Sequence, residues 1–150
     1  MPQAARAGTV VAMRTLLLAS ALAFVSVAGC SKSKDDGAQA ASTLPTITVD
    51  ELDAQLAKSA AQPVDANGEQ TRTKMGVIPG AVLLSDSEDF TPSELPADKS
   101  KPLVFYCANT SCDASHHAAQ KAITAGYQNV KVLPAGIAGW VKAGKKVTTI

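Results

Sequence analysis

Short apolar runs bounded by turn-forming residues set the rhythm of the chain from residue 46 onward. Leu103-Val104-Phe105-Tyr106 is the most apolar of them, and Val130-Lys131-Val132-Leu133 has the same character. Pro63-Val64-Asp65-Ala66 precedes the turn pair Asn67-Gly68, and Ala81-Val82-Leu83-Leu84 is entered through Pro79-Gly80. Each reads as a buried strand. Thr46-Ile47-Thr48-Val49 is β-branched and also strand-like, while Thr48 with Glu51 three residues on makes a capping box that opens a helix running to about Ala60. Leu52 and Leu56 share a face of that helix. Residues 85–101 are acidic, proline-containing and without periodicity, a long connection with one helical turn near Glu94. Residues 114–125 favour helix, with Ala118, Ala122 and Ala125 at helical spacing and Gly126 as the stop. Pro134-Ala135-Gly136 turns the chain into a last helix over 137–143, anchored by Trp140 and ended by Gly144. Strands alternating with helices predict an α/β fold, a mainly parallel central sheet with helices on both faces.

A different pattern governs the beginning. Arg14 is followed by the apolar run 15–28, which ends in small residues and gives way at once to Ser31-Lys32-Ser33-Lys34-Asp35-Asp36. A transmembrane helix needs about 20 apolar residues, so the run is short for a span and has the layout of a cleaved secretory signal. Met13-Arg14 is the more typical beginning for such a signal. Val27-Ala28-Gly29-Cys30 resembles the lipobox of bacterial lipoproteins, in which the cysteine sulfur receives a diacylglycerol. The expected organisation is a cleaved signal over 1–29, a flexible tether over 30–43 and one domain over 44–150, held to a membrane through lipid on Cys30. Ser31 in second place resembles outer-membrane sorting, which predicts the bacterial cell envelope, on the outer membrane facing the periplasm.

The 150 residues, 46% hydrophobic and 18% charged, leave room for one ordinary globular domain. Loss of 1–29 removes Arg6 and Arg14 and turns a net charge of +1 into about −1, without a basic block suited to nucleic acid. Three cysteines leave Cys107 and Cys112 after lipidation.

Cys107 follows the most apolar strand directly and precedes a polar loop and a helix start. Sites in parallel sheets lie at the carboxyl ends of strands, and backbone N–H groups with the helix dipole favour a thiolate there. Several segments around it resemble the rhodanese family in order. Val64-Asp65-Ala66 stands where the family has a strand ending in aspartate, and Gly76-Val77-Ile78-Pro79-Gly80-Ala81 resembles its Gly-His-Ile-Pro-Gly-Ala signature. Leu103-Val104-Phe105-Tyr106-Cys107 matches its strand into the catalytic cysteine. Gly126-Tyr127-Gln128-Asn129-Val130 and Gly136-Ile137-Ala138-Gly139-Trp140 resemble its closing elements. The resemblance implies a sulfurtransferase in which Cys107 takes the outer sulfur of a small donor, carries it as a persulfide within the loop Ala108, Asn109, Thr110, Ser111 and Asp113, and passes it to a thiol acceptor. No cofactor and no metal are expected.

Departures from the family pattern bear on the substrate. Val77 replaces the signature's histidine, Asn67 stands where an arginine often follows the aspartate, and the loop 107–112 lacks lysine and arginine. Rhodanese loops that favour thiosulfate usually carry a cation for the dianion, so a polysulfide, a neutral donor or a protein persulfide fits better. The phosphatases of this fold need an arginine at the loop's end, and none is present. Cys112 has three readings: a resolving cysteine, a disulfide partner of Cys107, or a small residue packing at the helix start. A thiol–disulfide or metal-binding module built on the Cys107/Cys112 pair is the alternative to sulfur transfer, and a catalytically inactive rhodanese-like binding domain is a third. His116 lies one helical turn from Cys112, within reach of a metal-ligand arrangement, although surface histidines are more often solvated. At most one of His116 and His117 faces Cys107, because adjacent helical positions diverge. Asp65 is expected to fix neighbouring loops, and Trp140 to sit in the core.

Overall fold

The computed structural model describes residues 44–150; the signal 1–29, the tether 30–43 and Cys30 lie outside the described residues. In chain order the elements are α1 (Val49–Leu56), β1 (Gln62–Asp65), α2 (Glu69–Met75), β2 (Val82–Leu83), β3 (Leu103–Tyr106), α3 (Ala114–Thr124), β4 (Val130–Leu133) and α4 (Gly136–Lys142). The strands form one parallel sheet in the order β2-β1-β3-β4, with Val64 opposite both Val82 and Phe105, and Phe105 opposite Val132.

β3 is buried at every position, and alternation sends its side chains into two cores. Leu103 and Phe105 join Val64, Val130 and Val132 under Ala118, Ala119 and Ala122 of α3. Val104 and Tyr106 join Leu52 of α1 and Ile137 and Trp140 of α4 on the other face. Burying a side chain the size of Phe105 contributes about 1.5–3 kcal/mol, and the alanine stripe lets α3 lie close enough to seal it. Trp140 is in the core, its indole N–H bonded to the Lys146 carbonyl at 2.8 Å.

Three elements differ from the sequence expectation. Of the strand expected over 46–49 only Thr46 pairs, bridging to Val132 at the sheet edge, because the capping box claims Thr48 and Val49 for the helix. The Thr48 backbone N–H donates to the Glu51 carboxylate at 2.9 Å and the Glu51 N–H to Thr48 Oγ1 at 3.3 Å, so Val49 is already helical. α1 ends at Leu56 rather than near Ala60, since Ser59 takes a φ of +53° and the Ser59 and Ala60 N–H groups return to the carbonyls of Leu56 and Gln55. This is a Schellman stop without the glycine that would mark it. α2 has no counterpart among the expected elements: Glu69-Gln70-Thr71-Arg72-Thr73-Lys74-Met75 buries none of its residues and so carries no apolar period. The turn expected near Glu94 is a single 3-10 turn over Pro92–Glu94, whose carboxylate accepts the N–H groups of Ser85 and Thr91.

Tyr106 ties β3 to the segment before β2. Its hydroxyl accepts the Ile78 N–H at 3.0 Å while the whole residue is fully buried. Tyr106→Phe therefore strands a buried donor and is expected to cost about 1–3 kcal/mol, read as a lower urea midpoint at unchanged slope. An unchanged midpoint would contradict this role.

Candidate active site

In the sheet order the connection after β1 runs outward to β2 and the connection after β3 runs outward to β4, in opposite directions. The crevice at the carboxyl ends of β1 and β3 is where open parallel sheets bind ligands. β3 delivers Cys107 to this edge with only 2% of its surface exposed. Beyond it Ala108 and Cys112 are half-buried, and Asn109, Thr110, Ser111 and Asp113 are exposed. Asn109 folds the loop back on itself: its side-chain oxygen accepts the Ser111 N–H at 2.9 Å and its carbonyl the Cys112 N–H at 3.1 Å. From the far side the N–H groups of Ile137 and Ala138 take the carbonyls of Cys107 and Ala108, both at 2.9 Å. Gly136 makes that approach possible, since at φ +58° a Cβ there would lie 2.5 Å from the Cys107 oxygen.

The sulfur itself has two neighbours. The Cys107 thiol donates to the Cys112 carbonyl at 2.9 Å, and the Ser115 hydroxyl donates to Sγ at 3.3 Å. Burial pushes the Cys107 thiol above the ordinary cysteine range, with the adjoining Cys112 thiol adding to the rise, while hydrogen bonds from the Ser115 hydroxyl and backbone N–H oppose it. The thiolate expected from loop amides and the helix start is therefore not the resting form. Two of those amides, at Ser111 and Cys112, are committed to Asn109, and desolvation outweighs what remains.

Asp65 is fully buried and fixes neighbouring loops. Its Oδ1 accepts the Asn67 N–H at 2.6 Å and faces Arg72 Nε at 3.3 Å, while Arg72 Nη2 donates to the Asp65 and Leu84 carbonyls at 3.1 and 2.8 Å. The cation at the ends of β1 and β2 is thus tied to protein oxygens. Val77, in place of the signature's histidine, is buried and paired with Thr148. His117 is exposed and its Nδ1 lies 3.2 Å from Glu88; His116 is half-buried, and neither histidine hydrogen-bonds Cys107. Among the described residues no group of three or more His, Cys, Asp or Glu side chains is disposed to hold a metal ion.

Sequence reasoning missed two contributors. Ser115 is the one polar residue on the buried face of α3, beside Ala118, Ala119 and Ala122, and that interruption of an alanine stripe was its signal. Arg72 had none, because its partners, the Asp65 carboxylate and two carbonyls, are brought near only by folding.

The raised thiol gives a sign to reactivity. Alkylation of Cys107, followed on its own peptide, is expected to accelerate as pH rises, with its half-point above the ordinary cysteine range. Ser115→Ala removes the hydroxyl that stabilises the charged sulfur, so the profile moves further up and alkylation near neutrality slows by about tenfold. A profile that Ser115→Ala leaves in place would contradict the contact.

Among curated proteins none matches the sequence. Solved structures do resemble the fold. A Bacillus halodurans protein superposes with a TM-score of 0.62 at 22% identity, covering 71% of this chain and 77% of its own. The rhodanese-like domain of an Anabaena protein gives 0.59 at 24% identity, covering 71% and 80%. The human single-domain sulfurtransferase gives 0.53 at 22% identity, covering 65% and 96%. At these identities the likeness is one of fold. Residues 48–143 match the model of the rhodanese-like domain, a span that begins at the α1 cap, takes in all four strands and the cysteine loop, and ends just after α4. The chain belongs to the rhodanese-like domain family.

Proposed function

We propose that this chain is a lipid-anchored sulfurtransferase that moves sulfane sulfur through a persulfide on Cys107. The observation that carries the reading is the Cys107 sulfur itself, held at the carboxyl edge of β3 with the Ser115 hydroxyl directed at it. The family and the sulfurtransferases among its structural neighbours supply the reaction class. In the first half-reaction the Cys107 thiol loses its proton, its sulfur bonds to the outer sulfur of the donor, and the donor's remaining fragment departs with the electron pair of the broken bond. In the second, an acceptor thiolate takes the outer sulfur and leaves Cys107 as thiolate. The Ser115 donors stabilise negative sulfur in both steps.

Charge selects the donor. The loop 107–112 has no cation and Asp113 adjoins it, so a thiosulfate dianion finds no counter-charge, whereas a polysulfide needs none of comparable strength. The segment before the domain, with its apolar run and Cys30, supports attachment to the periplasmic side of the outer membrane.

The test is turnover with cyanide as acceptor, measured above the uncatalysed rate. Cys107→Ser is expected to lower thiocyanate formation by at least about a thousandfold. Polysulfide is expected to exceed thiosulfate in kcat/KM by about tenfold or more, the worth of one missing charge-assisted hydrogen bond. Retained turnover in Cys107→Ser would remove the carrier role, and equal use of the two donors would remove the charge argument.

A further inference from the structure

The loop that holds Cys107 brings a second thiol to it. The reverse turn at Asn109 folds residues 109–112 back toward the strand end, so that the Cys112 carbonyl meets Cys107 Sγ at 2.9 Å. Cys112 is half-buried and packs against the same core cluster that contains Cys107. Both are free thiols. An acceptor arriving from solvent must reach a residue of which 2% is exposed, but Cys112 needs no entry path. The exposed Asn109, Thr110 and Ser111 leave the loop's outer side open to small anions and to a reductant.

We propose that Cys112 resolves the Cys107 persulfide, so that the domain converts sulfane sulfur to hydrosulfide through an internal Cys107–Cys112 disulfide. The inference rests on the persulfide reading above. Starting from a Cys107 persulfide anion and a Cys112 thiol, Cys112 Sγ bonds to Cys107 Sγ and the bond from Cys107 Sγ to the terminal sulfur breaks. The terminal sulfur leaves with that electron pair and the Cys112 proton, as hydrosulfide. The carried sulfur is reduced and the two cysteine sulfurs are oxidised to a disulfide. A dithiol reductant then reopens the disulfide by exchange and is itself oxidised, which readies Cys107 for another load. The two chemistries the sequence left as alternatives, persulfide carriage and thiol–disulfide exchange, become consecutive steps of one cycle.

The experiment uses the full chain carrying Cys30→Ser, so that Cys107 and Cys112 are the only thiols. The reduced protein is loaded anaerobically with polysulfide, freed of donor, and followed without added thiol by intact mass and by sulfide release. The expected protein passes from one sulfur heavier to a pair of hydrogens lighter than its reduced form, releases sulfide in step, and yields a peptide with Cys107 joined to Cys112. Cys112→Ser and Cys112→Ala are each expected to stay one sulfur heavier and to release sulfide at least about tenfold more slowly. Two replacements guard against a folding defect, and the urea midpoint of each shows that it is folded. If the parent holds its sulfur as long as the Cys112 variants do, resolution is overturned and the carrier reading stands. If neither the parent nor the variants take up sulfur, both fall.

Discussion

The carbonyl oxygens at the end of β3 point into the first turn of α4, and the rest of the site depends on that contact. Ile137 and Ala138 take the oxygens of Cys107 and Ala108 at 2.9 Å, a distance the chain reaches only because position 136 lacks a side chain. A methyl group there would sit 2.5 Å from the Cys107 oxygen. With its carbonyls fixed from one side, the chain leaves the strand in a direction that carries the loop over Cys107 Sγ and into α3, where Ser115 meets the sulfur from the other. The loop is held by backbone bonds from a neighbouring helix and by its own Asn109 turn, not by charged side chains.

That construction determines the electrostatics. A sulfur sealed beneath a neutral loop is held in the thiol form, and the Ser115 donors only partly offset the desolvation. A site of this kind suits chemistry in which negative charge resides on polarisable sulfur and moves between sulfurs. It suits binding of a compact dianion poorly. Arg72, whose guanidinium stands at the ends of β1 and β2, is tied to Asp65 and to two carbonyls. The ion pair braces the ends of β1 and β2 and holds that cation on protein oxygens.

Much of the fold was legible because buried strands and capped helices write themselves into local pattern. The runs 103–106 and 130–133 could be assigned from apolarity alone, and Thr48 with Glu51 marked the start of α1. What escaped lacks such a signature. α2 is polar apart from Met75 and held in part through Arg72, the stop of α1 uses Ser59 in a glycine conformation, and the strand expected over 46–49 lost its second half to the cap it contains. At the site, the position of Cys107 followed from its place after the most apolar strand. The state of its sulfur did not, because burial and the contacts from Cys112 and Ser115 arise between elements that only the folded sheet brings together. The resemblance to the rhodanese family added the expected reaction class, and its departures at Val77, Asn67 and the loop are the basis of the proposed donor preference.

The central claim is that sulfur is carried on Cys107, and trapping the carried sulfur in place addresses it most directly. Brief exposure of the reduced full chain to polysulfide, followed at once by alkylation and proteolysis, gives a peptide that holds both Cys107 and Cys112, whose fragmentation locates the alkylated persulfide. The account predicts the additional sulfur between Cys107 Sγ and the alkyl group. An additional sulfur found only on Cys112, or on neither cysteine, would contradict it.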